Sequence, residues 1–250
     1  MTPEWQSRTE LLLGKDALSI LKNSHVLIVG LGGVGAYTAE MLCRAGVGKL
    51  TIADGDKVQH SNRNRQLIAL HSNTGEDKAK LMADRLLEIN PDIDVSWLNE
   101  FLASEKLDKV LDEKYDYVVD AIDTLDPKVT LIQKSLARGY PIVSSMGSGG
   151  KMDPMRVQVT DISESHSCKL AFKVRKELHR REIREGFKVV FSPETVSKDT
   201  ILLVQGERNK KSTVGTISYM PPVFGCIMAS VVIRDLVNVT MSQSDGTPVK

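Results

Sequence analysis

SHVLIVGLGGVGA, residues 24–36, is the stretch on which the fold turns. Val26–Val29 is continuously apolar rather than alternating, the pattern of a strand covered on both faces. Gly30, Gly32 and Gly35 follow in G-x-G-x-x-G spacing with Gly33 as a further small position, and residues 34–45 then read as a helix closed by Gly46 and Gly48. A strand, a glycine turn and a helix start place unpaired backbone N–H groups where a phosphate can meet them. Leu50–Ala53 predicts a second strand. Asp54 at its end, twenty-four residues after Gly30, puts a carboxylate where ribose hydroxyls can donate. The motif specifies a nucleotide without saying which one.

Outward from this core, the polar segment 55–74 is too long for an ordinary connection, which points to function. A helix over 76–89, stopped by Asn90-Pro91, leads to strands at 95–98 and 115–120. A helix from Pro127 to about Ala137 then leads to a strand at 141–145. This alternation predicts an α/β fold, a doubly wound and mostly parallel Rossmann-like sheet. Before it, residues 11–22 read as a leading helix or two turns broken at Gly14. After it come the glycine-rich MGSGGKMD (146–153), an edge-like strand at 155–160, a basic helix over 169–185, a strand at 188–191 and an apolar helix at about 223–237. Residues 195–221 carry the weakest pattern. With no repeat or low-complexity linker, the expected layout is a single domain over 1–250. It comprises a leading segment 1–23, a nucleotide-binding core 24–145 and an extension 146–250.

At 250 residues, with 41% apolar and 26% charged side chains and a formal charge of +1, the composition is that of a soluble globular chain. Any nucleic-acid contact must come from a local basic patch. Cys43, Cys168 and Cys226 form no CxxC pair, which argues against a disulfide framework and structural zinc. Cys43 and Cys226 read as packing residues, while Cys168 lies among cations in SHSCKLAFK, a weak thiol candidate. The opening MTPEWQSRTELLLG lacks a signal-peptide layout, and the apolar run 223–237 is short for a bilayer, so a cytoplasmic protein without a membrane span is expected.

The cations choose between nucleotides. SNRNRQ (61–66), Lys78 at the opening of a helix, and Asp120 and Asp123 just past a strand all fall at C-terminal strand ends or on the loops there. A redox dinucleotide leaves these groups without a role, whereas a triphosphate needs them. Arg65 and Lys78 can neutralise phosphate oxygens, and Asp123 can hold Mg²⁺. Asn62 and Gln66 suit ribose, phosphate or loop backbone. Asp120 is the weaker carboxylate, since a strand-end acid can simply cap the next turn. The plain alternative is that the basic side chains form a solvated face.

The set VGLGGVG, AGVGKLTIADGD, SNRNRQ, GEDKAK, INP and DAID resembles the E1-like adenylating enzymes, the superfamily that activates ubiquitin-like sulfur carriers. The resemblance implies ATP lying over the glycine turn with Gly33 on phosphate, Asp54 on ribose, Asn62, Arg65 and Lys78 on the ATP, and Asp123 on Mg²⁺. Arg8 matches loosely an arginine that reaches the partner subunit's ATP. Sulfur-carrier activators commonly carry two CxxC pairs, absent here. DAIDTLDPK, PIVSSMGSGGKMDP, CKLAFKVRKELHRREI and KVVFSPE resemble instead the tRNA threonylcarbamoyladenosine dehydratase branch. That branch implies a homodimer that uses ATP to cyclise the threonylcarbamoyl group on adenosine 37 of tRNA.

A tRNA needs a cationic track. Lys169, Lys173, Lys176 and Arg180 follow 4, 3 and 4 spacing and form one helical stripe, with Arg184 continuing it. Leu170, Val174 and Leu178 are expected on the buried side. The alternatives are adenylation of the C-terminal glycine of a sulfur carrier, a NAD-dependent oxidoreductase, and a noncatalytic nucleotide-binding protein.

Overall fold

The computed structural model describes residues 2–102, 104–203 and 212–241. The strands are β1 (His25–Val29), β2 (Lys49–Ala53), β3 (Asp94–Leu98), β4 (Tyr117–Asp120), β5 (Ile142–Ser145), β6 (Gln158–Asp161), β7 (Lys188–Phe191), β8 (Ile201–Leu203) and β9 (Ser212–Val214). The helices are α1 (Ser7–Leu13), α2 (Lys15–Asn23), α3 (Gly35–Ala45), α4 (Lys78–Ile89), α5 (Ser104–Leu111), α6 (Leu125–Ala137), α7 (Lys169–His179) and α8 (Met220–Met241).

β1 through β7 form one sheet in the order β3-β2-β1-β4-β5-β7-β6, with β8 and β9 as a separate antiparallel pair. Every pairing in the large sheet is parallel except β6 with β7. The expected doubly wound sheet is therefore present, and its strand order reverses between β1 and β4. In sheets of this kind a ligand crevice lies at that switch point, beyond the C-terminal ends of β1 and β4.

β1 is buried along its whole length, and its side chains feed two cores. Val26 and Ile28 join Leu50, Ile52 and Val119 under α3, α4 and α8, while Leu27 and Val29 join Val118, Ile142, Val189 and Phe191 on the other face. This two-sided burial explains the unbroken apolar run.

Several boundaries move. The leading segment forms two helices separated by Gly14 at φ +84°, as its glycine suggests, but the first begins at Ser7. α7 stops at His179 rather than near 185. Glu182 takes a left-handed φ of +63°, and the Ile183 N–H closes onto the Leu178 carbonyl at 3.0 Å. Arg180 thus caps the helix and Arg184 lies beyond it. Residues 195–221 include β8 and β9, and residues 204–211 of that segment lie outside the described residues.

α8 runs for 22 residues, longer than expected, and is long and apolar enough by composition to cross a membrane. Phe224, Met228, Val231 and Val232 are nevertheless buried in the core. The Thr38 hydroxyl reaches the Gly225 carbonyl at 3.1 Å, and a Cβ on Gly225 would stand 2.5 Å from the Val34 carbonyl oxygen. Glycine lets α8 lie directly on α3, so the apolar composition reflects a core helix.

Candidate functional site

The glycine turn is closed by its neighbours. A Cβ on Gly35 would stand 1.8 Å from the Gly30 carbonyl oxygen, and one on Gly30, itself at φ +93°, would stand 2.7 Å from the Ala121 carbonyl oxygen. The turn therefore packs backbone against backbone, both within itself and against the loop after β4. A Cβ on Gly33 would meet Pro221 at 2.8 Å, so the start of α8 backs the same turn. We expect Gly35→Ala to abolish ATP-dependent protection against thermal unfolding. Gly14→Ala, which meets nothing within 4 Å, should retain that protection and cost only about 1–3 kcal/mol in backbone strain. Equal ATP protection in the two variants would show that the turn is not the nucleotide cradle.

Asp54 leaves β2 beside the turn and clamps it. Its Oδ2 accepts the Leu31 N–H at 2.6 Å and its Oδ1 accepts the Asp56 N–H at 2.8 Å. Burial raises its pKa above the ordinary carboxylate value, opposed by the charge of Lys78 and by these two N–H donors. Lys78, the first residue of α4, is only 4% exposed and donates from Nζ to Asp56 Oδ2 at 2.9 Å. Asp56, which the sequence did not single out, completes an acid–lysine–acid cluster at the crevice wall.

Asn62 and Gln66 are buried on the loop between β2 and α4. Asn62 orders that loop by accepting the Gln59 N–H at 3.0 Å. Gln66 lies against the turn, its Nε2 3.7 Å from where a Cβ on Gly32 would sit, and its Oε1 is buried without a hydrogen-bond partner. That acceptor is a built-in demand for a donor such as a ribose hydroxyl or an adenine amino group. Arg65 is half-buried and donates from Nη1 to the Ser61 carbonyl at 3.0 Å and to Asn64 Oδ1 at 2.8 Å. Burial pulls its pKa down and the charge of Asp123 pushes it back up, which places Arg65 across from the loop after β4. Asp123 is exposed on that loop.

Asp120 is a fully buried ion-pair partner. Lys128 on α6, equally buried, donates from Nζ to Asp120 Oδ2 at 2.6 Å, to Ser144 Oγ at 3.2 Å and to the Ser145 carbonyl at 2.9 Å. The other carboxylate oxygen accepts the Ile122 N–H at 3.1 Å. The pair fixes the turn that carries Asp123, a role for Lys128 absent from the sequence reading. Lys151 is similarly unforeseen: buried, it donates to the carbonyls of Ser192 and Glu194 and ties the glycine-rich strand end to the segment after β7.

The crevice does not include Arg8. Gln6 abuts Gly46 at the C-terminal end of α3, which places the start of α1 at the N-terminal ends of the strands, opposite the glycine turn, and Arg8 is exposed there. Cys168 is buried with the apolar residues around α7, which removes it from the exposed thiols. Cys43 is buried and its pKa is pushed up to about 12 by that burial, while Cys226, expected to pack, is exposed. Among the described residues no cluster of three or more His, Cys, Asp or Glu side chains could hold a metal ion.

Beside the crevice, α7 buries Ala171, Val174 and Leu178, with Leu170 partly buried, and exposes Lys169, Lys173 and Lys176. Arg180 and Arg184 are also exposed, and Arg180 is paired with Glu177 at 2.6 Å. An open groove of about 690 Å³ follows this helix from Leu125, two residues past Asp123, to the side chains of Lys169, Lys173 and Lys176. The groove thus meets the first residue of α6, just after the loop that carries Asp123.

The ThiF family model matches residues 6–250. The chain belongs to the ThiF family. A tRNA threonylcarbamoyladenosine dehydratase of Bacillus subtilis (strain 168) is 40% identical over 237 residues, covering 92% of this chain and 93% of that one. One of Escherichia coli (strain K12) is 39% identical over 177 residues, covering 70% and 66%. The crystal structure of E. coli tRNA N6-threonylcarbamoyladenosine dehydratase, TcdA, in complex with ATP superposes with a TM-score of 0.87 at 31% identity, covering 97% of this chain and 99% of that one. The α/β sheet described above is thus the Rossmann-like, E1-like fold of this ThiF family member.

Proposed function

We propose that this ThiF family protein is an ATP-dependent tRNA threonylcarbamoyladenosine dehydratase. The observation that carries the reading is the pairing of two features in one chain, the β1/β4 switch point with its glycine turn and cations, and a lysine track on α7 whose groove reaches Leu125, two residues beyond Asp123. Sequence identity spanning nearly the whole of the Bacillus relative, α7 included, supports it over adenylation of a sulfur-carrier protein.

ATP lies with its phosphates over the glycine turn, where the N-terminus of α3 and its free N–H groups favour negative charge. Asp54 and Gln66 are placed for the nucleoside end. The substrate carboxylate attacks the α-phosphorus, a P–O bond forms, and pyrophosphate departs with the electrons of the bond that breaks. Arg65 and Lys78 stabilise the charge that accumulates on the leaving group, with the triphosphate competing against Asp56 for the Lys78 ammonium. Within the acyl-adenylate, a nitrogen or oxygen of the same substituent attacks the activated carbonyl and expels AMP. Being intramolecular, ring closure draws on proximity and needs no protein nucleophile. This agrees with the burial of Cys168.

Asp123 is the side chain that would hold Mg²⁺, a cation that keeps few protein ligands, and the ion would supply charge neutralisation for the departing pyrophosphate. The reading also carries a cytoplasmic homodimer, in which Arg8 serves the crevice of the second copy. Leu11 and Leu12 on α1, 89% and 79% exposed, support a covering neighbour.

Nucleoside mass spectrometry on threonylcarbamoyl-modified tRNA tests the reading. The expected result is loss of one water from the modified nucleoside only with ATP–Mg²⁺, accompanied by AMP and pyrophosphate. No mass change with protein that binds both ATP and tRNA would remove it.

A further inference from the structure

We propose that Phe172 is a stacking platform for an unpaired anticodon-loop base adjacent to the modified adenosine, with Lys169, Lys173 and Lys176 gripping the phosphates around it. The inference rests on the function proposed above and assigns a part of the RNA contact to a side chain that the charge pattern alone passes over.

Phe172 is 60% exposed, a large aromatic ring left in solvent on a helix whose apolar needs are met elsewhere. Ala171, Val174 and Leu178 form the buried side of α7. Lys169, Phe172, Lys173 and Lys176 stand at i, i+3, i+4 and i+7, so the ring lies within the lysine stripe rather than on the packing face. The other charged groups of the helix are engaged. Glu177 pairs with Arg180 at 2.6 Å, and the Arg175 guanidinium is held by the carbonyl and hydroxyl of Ser165. The three lysines have no such ties and face a groove that Phe172 and Leu125 line with apolar surface.

A cationic groove with an aromatic side chain inside it is the arrangement that binds single-stranded nucleic acid, the cations following the backbone and the ring taking a base face. Sequence loops of RNA present such splayed bases. An acidic peptide would satisfy the lysines but leave the ring without a planar partner. The groove reaches Leu125, two residues along the chain from Asp123, and the proposal seats at Phe172 a base that neighbours in the loop the one whose side group enters the crevice.

The test compares wild type with Phe172→Ala, Phe172→Leu and Phe172→Trp, measuring tRNA affinity and dehydration kinetics at saturating ATP. Phe172→Ala is expected to weaken tRNA binding and raise KM for tRNA about tenfold, with ATP affinity and melting temperature unchanged. Phe172→Trp should restore affinity and Phe172→Leu, equally apolar but without a flat face, should not. 2-Aminopurine placed beside the modified position should be quenched on binding wild type but not Phe172→Ala. If wild type dehydrates its substrate while Phe172→Ala matches it, or Phe172→Leu rescues as well as Phe172→Trp, the platform is wrong and the enzymatic reading stands. Failure of wild type to dehydrate tRNA at all overturns both.

Discussion

Arg65→Ala is expected to lower the rate of ATP-dependent dehydration by about 10²–10³-fold, the usual consequence of deleting one preorganised charge from a developing anion. Arg65 is suited to this role because its guanidinium is already partly desolvated and is held by the Ser61 carbonyl and Asn64 Oδ1 before any nucleotide arrives. Little reorganisation would then accompany the reaction, and the charge of Asp123 favours the ionised guanidinium. Arg65→Lys should recover only part of the rate, since an ammonium cannot bond to both loop acceptors and phosphate in one plane. Arg63→Ala, on the same loop but exposed, serves as the control and keeps wild-type turnover. Single-turnover release of pyrophosphate reads the step directly, and tRNA binding should be unchanged in all three variants. An Arg65→Ala enzyme that releases pyrophosphate at the wild-type rate would falsify the charge-stabilising role.

Lys128→Met is the second large effect, and it falls first on stability. Asp120 and Lys128 are both fully buried, and removing the lysine leaves a carboxylate in the core with only the Ser144 hydroxyl and the Ile122 N–H for company. Breaking a buried pair in this way costs about 3–5 kcal/mol. For a chain of this size the melting temperature should fall by on the order of 10 °C. Because Asp120 also holds the turn leading to Asp123, ATP affinity should fall with it at temperatures where the variant is folded. Combining Lys128→Met with Asp120→Asn removes the uncompensated charge and should recover part of the melting temperature but not the ATP affinity. Thermal unfolding with and without ATP separates the two consequences. A single variant as stable as wild type would show that the pair is not the buried clamp described above.

The candidate crevice was legible in the sequence because its parts are local. G-x-G-x-x-G after an apolar strand can hardly fold otherwise, since any Cβ on Gly35 would stand 1.8 Å from the Gly30 carbonyl oxygen. Asp54, Asn62, Arg65, Gln66 and Lys78 follow on the adjoining strand end and loop, so chain connectivity alone carries them to the same edge of the sheet. The end of α7 was not legible. Its charged periodicity runs on to residue 185 with no glycine to stop it, and the structure stops it at His179 by placing a glutamate in the left-handed conformation. Cys168 and Cys226 exchanged the expected environments for a related reason: one turn of helix decides which side of an element meets the core, and local composition does not resolve it.

What the sequence by itself determined is the backbone-encoded part of this protein: the doubly wound order of strands and helices, the phosphate-ready turn, and the strand-end acid and cations around it. The pattern of glycines and apolar runs leaves that backbone few alternatives. Only the tertiary structure decided the rest. It paired Lys128 with Asp120 across α6 and β4, laid α8 in the core through Gly225, kept Arg8 away from its own crevice, and opened the Phe172 groove between α7 and the start of α6. Each of these depends on which distant surfaces meet, and that is set by the packing of the whole sheet rather than by any local run of residues.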